Sequence, residues 1–181
     1  MLPFEEPARP FTVFISSSQK EFERFRKDLK AKIDSERFVD QKIMKAVLIE
    51  NERGPVITED IRREIEGCSI YVGIFGQEKS EWTFAEYREA RAKDLPLLIY
   101  QLRRQRRPGK PKEQERRGRP SRVQIFLDKE VKLLGIRVRG PYRTEDRLER
   151  AILNDLARQV AEMVREAAAV RKTIHKGVAP P

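Results

Sequence analysis

The 181-residue chain carries 39 Lys/Arg against 29 Asp/Glu, a formal charge of +10, with 38% charged and 39% hydrophobic residues. That length suits one domain with a full core. No apolar run approaches the roughly 20 residues that cross a bilayer, and the start lacks the basic-then-apolar pattern of a signal peptide. A single cysteine, Cys68, and a single histidine, His175, exclude an internal disulfide framework and a His/Cys metal cluster. A cytoplasmic protein without membrane partner or bound metal is the expectation.

The charge is unevenly spread. Residues 101–122 hold ten Lys/Arg against two Glu, a local excess of +8 that leaves +2 for the other 159 residues. The domain is therefore near neutral and bears one basic insertion.

Residues 1–11, with three prolines, read as an irregular lead-in. Phe11-Thr12-Val13-Phe14-Ile15 has the β-branched and aromatic content of a buried first strand. Ser16-Ser17-Ser18 forms a polar turn, and Phe22, Phe25, Leu29 and Ile33 then recur at helical spacing. Ser18 with Glu21 three residues on fits a capping box. Ala46-Val47-Leu48-Ile49 predicts a second strand, followed by a loop through Gly54-Pro55. Thr58 is the expected N-cap of a helix whose first turn holds Glu59 and Asp60, with Ile61 and Ile65 buried and Gly67 as its stop.

Ile70-Tyr71-Val72-Gly73-Ile74-Phe75 is apolar without alternation, as in a parallel strand covered on both faces. A helix from about Thr83 to Lys93 follows, and Leu97-Leu98-Ile99-Tyr100 is the fourth strand. This βαβαβαβ order predicts a parallel sheet of four or five strands with helices on both faces. Residues 103–122 read as a long polar loop. Beyond it come a short helix over Val123–Leu134, an edge strand at Ile136-Arg137-Val138, and a long C-terminal helix. That last helix is marked by Leu148, Ile152, Leu156, Val160 and Val164, with Thr144-Glu145-Asp146 as its start. The expected organisation is a single domain over 12–168 and a basic tail over 169–181.

Within this frame Glu86 stands out as a carboxylate near the start of a helix that follows a buried strand, where open α/β sheets bind ligands. Read alone, it is equally an exposed helix glutamate. Ser16, Ser17 and Ser18 lie at a helix N-terminus that suits a phosphate, although Ser18 serves as the cap in either case. Trp82 offers a ring for stacking on a base and, equally, a core side chain. Cys68 reads as an inert buried thiol. The run at 103–122 has the charge to bind nucleic acid phosphates non-specifically and lacks the interleaved aromatics that stack on bases; a solvated loop is the plainer reading.

Taken together, "TVFISSSQKEFERFRKDLKAKI", "GPVITEDIRREIEGCSIYVGIFG", "SEWTFAE" and "DLPLLIYQL" resemble a TIR domain or the TIR-like family called DUF4062, over roughly residues 12–101. The resemblance implies a three-layer flavodoxin-like sheet in the order 2-1-3-4-5. The spacing S-x-W-x-x-x-E is similar to that of TIR enzymes, which makes Glu86 the counterpart of their catalytic glutamate and Trp82 of their tryptophan. Glu86-Tyr87 and Ala90 match the TIR-like pattern as well. The Gly-aromatic-Gly turn of relatives is reduced here to Gly76-Gln77-Glu78.

By the same resemblance the chain is a nucleotide-binding domain, with NAD as candidate substrate, no resident cofactor, and Ser16, Ser17, Ser18, Gly76 and Trp82 as ligand contacts. It implies NAD cleavage at the nicotinamide–ribose bond in defence or stress signalling, with self-association. The alternatives are a non-catalytic interaction module assembling through its helices and its 50–58 loop, and an enzyme resembling the nucleoside deoxyribosyltransferases.

Overall fold

The structure is a computed structural model that describes residues 9–38, 41–49, 58–78, 80–103 and 120–177. The Gly54-Pro55 loop, most of the 50–58 loop, and the body of the basic insertion lie outside the described residues.

Strand β1 (Phe11–Ser17) lies at the heart of a five-stranded, all-parallel sheet. The chain continues through helix α1 (Gln19–Ser35), a two-residue ladder of β2 (Arg37–Phe38) with β3 (Gln41–Lys42), and β4 (Met44–Val47). Helix α2 (Glu59–Glu66), β5 (Ile70–Phe75), helix α3 (Glu81–Ala92) and β6 (Leu97–Leu102) follow. A short helix α4 (Arg122–Phe126) widens into a π turn and tightens into a 3-10 turn ending at Leu134, ahead of β7 (Val138–Tyr142) and helix α5 (Glu145–Gly177). The sheet order is β4-β1-β5-β6-β7, which is 2-1-3-4-5 among its own members, as the resemblance implied.

Alternation along β1 decides which helix sees which residue. Val13 and Ile15 join Ile70, Val72 and Ile74 of β5 on the face covered by α1 and α5. Phe14, Tyr71 and Phe75 face α2, α3 and α4. On the first face Phe22, Phe25, Leu29 and Ile33 of α1 meet Leu148, Ile152 and Leu156 of α5. On the second, Phe84 of α3 stacks on Phe126 with ring centroids 4.0 Å apart and planes at 6°, and Tyr87 meets the same ring edge-on. The Tyr87 hydroxyl donates to the Glu130 carbonyl at 2.9 Å, and Arg88 holds the Glu130 carboxylate with two hydrogen bonds. Together these fix α3, and Glu86 with it, against α4 and the segment Leu127–Val131 that follows it.

Several boundaries differ from the sequence expectation. The second sheet strand is Met44–Val47, not 46–49, because β1 pairs from Phe11↔Met44 to Phe14↔Val47 and the chain leaves the ladder at Leu48. The fifth is Val138–Tyr142, not 136–138: the Ile136 amide is taken by the Val131 carbonyl, closing the helical segment first. Pro141 is tolerated there because β7 is an edge strand. Gly140, at φ +109°, sits where a Cβ would lie 2.6 Å from the Gln101 carbonyl oxygen. The β2–β3 ladder has no periodic signal and was not anticipated. Helix α3 begins two residues earlier than expected, at Glu81, with the Ser80 side chain accepting from the Thr83 amide. Helix α5 runs on to Gly177 and so includes His175 in its last turns.

Two polar ties join helices to the sheet. Asp34 of α1 accepts from the Ala46 amide at 2.8 Å and from Lys30. Burial by itself would raise its pKa, but the Lys30 hydrogen bond, the Ala46 amide and the charges of Lys30 and Lys42 outweigh it and leave it lowered. On α5, Asp155 accepts from the Tyr100 hydroxyl at 2.9 Å and pairs with Arg139 at 2.8 Å.

Two outcomes follow for folding. Leu156, fully buried between α5 and the sheet, is expected to cost about 2–5 kcal/mol as Leu156→Ala, read from urea unfolding. Asp34 has a depressed folded pKa, so its contribution is present above the unfolded value of 3.8 and is lost as pH falls through the folded one. Asp34→Asn should therefore lose less stability than the parent between about pH 5 and about pH 2 in acid-unfolding curves.

Candidate functional site

In a sheet of this order the crevice opens where β1 and β5 diverge to helices on opposite faces, at their carboxyl-terminal ends. The serine turn occupies the end of β1. Ser16, 1% exposed, follows Phe14 on the α3 side and donates its hydroxyl to the Glu86 carboxylate at 2.5 Å. Ser17 points to the opposite face and is equally buried. Ser18 caps α1, its hydroxyl accepting from the Glu21 amide at 3.4 Å.

Glu86 is 7% exposed, so it is not the solvated helix glutamate that one reading of the sequence allowed. Its place follows from α3: Ser80 caps the helix, and Phe84, Tyr87 and Ala90 bury the face that turns Glu86 toward β1. The neighbouring Tyr71 is fully buried, and burial, then the Glu86 charge, push its hydroxyl well above the ordinary value of 10. Tyr71 therefore stays neutral at any physiological pH beside a carboxylate. Trp82, 8% exposed, belongs to the apolar cluster under α3. Cys68 is buried, its thiol pushed up to about 12 by burial and the Glu64 charge, and is unreactive as a thiolate.

Gly76 follows β5 directly and lies against the side chain of Glu21. A Cβ there would lie 2.1 Å from a carboxylate oxygen of Glu21. That carboxylate accepts from the Gln77 amide through both oxygens, at 3.0 and 3.1 Å, and from the Glu78 amide at 3.0 Å. The capping box read from Ser18 and Glu21 is thus only half made as expected: Ser18 caps, and the Glu21 carboxylate crosses to the β5–α3 turn.

Sequence reasoning missed Arg26. It is 4% exposed and donates to the carbonyls of Ile49 at 2.8 Å and Ser17 at 3.4 Å, tying together the ends of β4 and β1. The signal was present: Phe22, Arg26, Leu29 and Ile33 keep helical spacing, so a cation stands on the apolar stripe of α1.

A cavity of about 470 Å³ opens at the same edge of the sheet, lined by Gly76, Gln77, Gln101, Arg103, Ser121 and Gln124. Glu86 and the three serines do not line it. A larger one, about 570 Å³, lies between β7 and α5 and includes none of the candidate site residues named from the sequence. Strand-end geometry favours the smaller cavity as the one related to Glu86. Among the described residues no group of three or more His, Cys, Asp or Glu is placed to hold a metal, and no helix is long and apolar enough to cross a membrane.

Fold and site define an α/β protein of flavodoxin-like strand order with a buried carboxylate at its switch point. Residues 12–157 match the family described as Domain of unknown function (DUF4062), and the chain belongs to that family. A comparison with curated proteins gives no match.

The Ser16 hydroxyl gives Glu86 a charge-assisted bond away from bulk water. Ser16→Ala should destabilise the fold by about 1–3 kcal/mol in chemical denaturation, because a buried carboxylate loses a donor.

Proposed function

We propose that the chain is a TIR-like nucleotide-binding domain that cleaves NAD at the nicotinamide–ribose bond, in defence or stress signalling. The observation supporting this is the buried Glu86 carboxylate, held by Ser16 at the switch point of the sheet. In the reaction, nicotinamide leaves with the electron pair of its bond to C1′, water adds to C1′, and a proton is released to solvent. Positive charge builds on the ribose as the bond breaks, and a carboxylate held away from water stabilises it more strongly than a solvated one does. In this reading Glu86 is the catalytic residue, Ser16 and Ser17 with the capped start of α1 receive the phosphates, and Gly76 borders the ligand. Trp82 then serves mainly as packing that sets the pitch of α3.

A second reading, a non-catalytic interaction module, draws support from the absence of Glu86 from the lining of the 470 Å³ cavity. Self-association through the helices fits either reading. So does non-specific nucleic acid binding by the basic 103–122 stretch, which would weaken steeply as salt rises.

Incubation with NAD and, separately, with a deoxynucleoside distinguishes the readings. Nicotinamide release by the parent chain, slowed at least about 100-fold in Glu86→Gln, is the expected result. Release of free base from the deoxynucleoside would favour a transferase of the deoxyribosyltransferase type. No product from either substrate at high protein concentration would leave the interaction module.

A further inference from the structure

The turn after β5 holds the carboxylate of Glu21 on two of its main-chain amides. At the third position of a helix, a glutamate ordinarily folds back on the amide of its own cap residue. Glu21 reaches instead across the sheet edge to the amides of Gln77 and Glu78, and both of its oxygens take part. Successive main-chain amides converging on two oxygens of one anion are what a turn offers to phosphate. The approach is close: a Cβ at position 76 would lie 2.1 Å from a Glu21 carboxylate oxygen and occupy the place that the carboxylate now fills.

Two further features place cation and donor at the same sheet end. Arg26 is buried across the ends of β1 and β4. The Ser17 hydroxyl, 2% exposed on a strand that pairs with β5 at Ile74, is a buried polar atom without a hydrogen-bond partner. A carboxylate is a smaller and less charged occupant than a phosphate group, and Glu21 belongs to the half-buried first turn of α1, from which its side chain can swing toward solvent.

We infer that Gly76, Gln77 and Glu78 form the seat for a phosphate group of a diphosphate-bearing ligand, and that Glu21 is an internal competitor that holds the seat closed until such a ligand displaces it. This deepens the nucleotide reading of the same crevice and rests on it for the ligand class. It adds a reason why Glu86 lies covered: the turn that precedes α3 is pinned to α1 by Glu21.

Inorganic pyrophosphate is the probe, titrated by calorimetry into the parent chain, Glu21→Gln, and Glu21→Gln with Gly76→Ala. The Gln side chain keeps the shape of Glu but is uncharged and accepts with its carbonyl oxygen alone, so it competes less well with an anion for the two amides. Glu21→Gln should bind pyrophosphate at least about tenfold more tightly than the parent. Adding Gly76→Ala should abolish the gain by placing a methyl group in the seat. Equal affinity of the parent and Glu21→Gln would overturn the inference, as would a gain that survives Gly76→Ala.

The parent chain gives an arm that needs no variant: the Gln77 and Glu78 amide resonances should move on addition of millimolar pyrophosphate, and their constancy counts against the seat. Failure here is separable from failure of the NAD reading. A gain in pyrophosphate affinity without NAD cleavage refutes the reaction and keeps the seat. NAD cleavage without that gain keeps the reaction and removes the seat.

Discussion

Strand β1 is bonded on both sides, to β4 from Phe11 to Phe14 and to β5 from Val13 to Ser17, and everything else is placed by that double pairing. Because side chains alternate along a strand, the register sends Val13 and Ile15 to the α1/α5 face and Phe14 and Ser16 to the α3 face. A slip of one residue would exchange the faces, put Phe14 against α1, and carry the Ser16 hydroxyl away from Glu86. The hydrophobic core and the candidate site are thus products of one register. The crossovers from β1 to β4 and from β5 to β6 leave on opposite faces, which is why polar groups collect where β1 and β5 end.

Most of the polar groups at that edge are paired, the Ser17 hydroxyl excepted. Ser16 serves Glu86, Arg26 serves the carbonyls of β1 and β4, and Glu21 serves the amides after β5. Each of these contacts is costly to leave unmade where it is buried. The cavity at the same edge is lined by Gln77, whose amide the Glu21 carboxylate already occupies.

Much of the fold was legible from periodicity. Four of the five sheet strands stand on apolar runs at or near their expected positions. The stripes Phe22-Phe25-Leu29-Ile33 and Leu148-Ile152-Leu156 are buried as their spacing requires. What periodicity missed were short or irregular pieces whose extent depends on partners. The end of β4 is set by β1, the place of β7 by β6 and by the helical segment before it, and the β2–β3 ladder is too short to carry a period. The site was legible in part. Glu86 and the serines were singled out separately, and their contact was not; Glu21 was read as a capping-box partner of Ser18, and Arg26 was hidden among the many charged residues of α1.

The sequence by itself determined the element order, the parallel sheet covered on two faces, the cap at Ser18, and the DUF4062-type pattern around Trp82 and Glu86. These are local or periodic properties, set by side-chain type and spacing along a few turns or one strand. Only the tertiary structure decided that Glu86 is buried and bonded to a serine seventy residues away, and that Glu21 abandons its own helix start for the turn at Gly76. The same holds for a cation on α1 closing the ends of two strands. Those outcomes depend on which strand ends become neighbours across the sheet, a geometry that no spacing within a single element encodes.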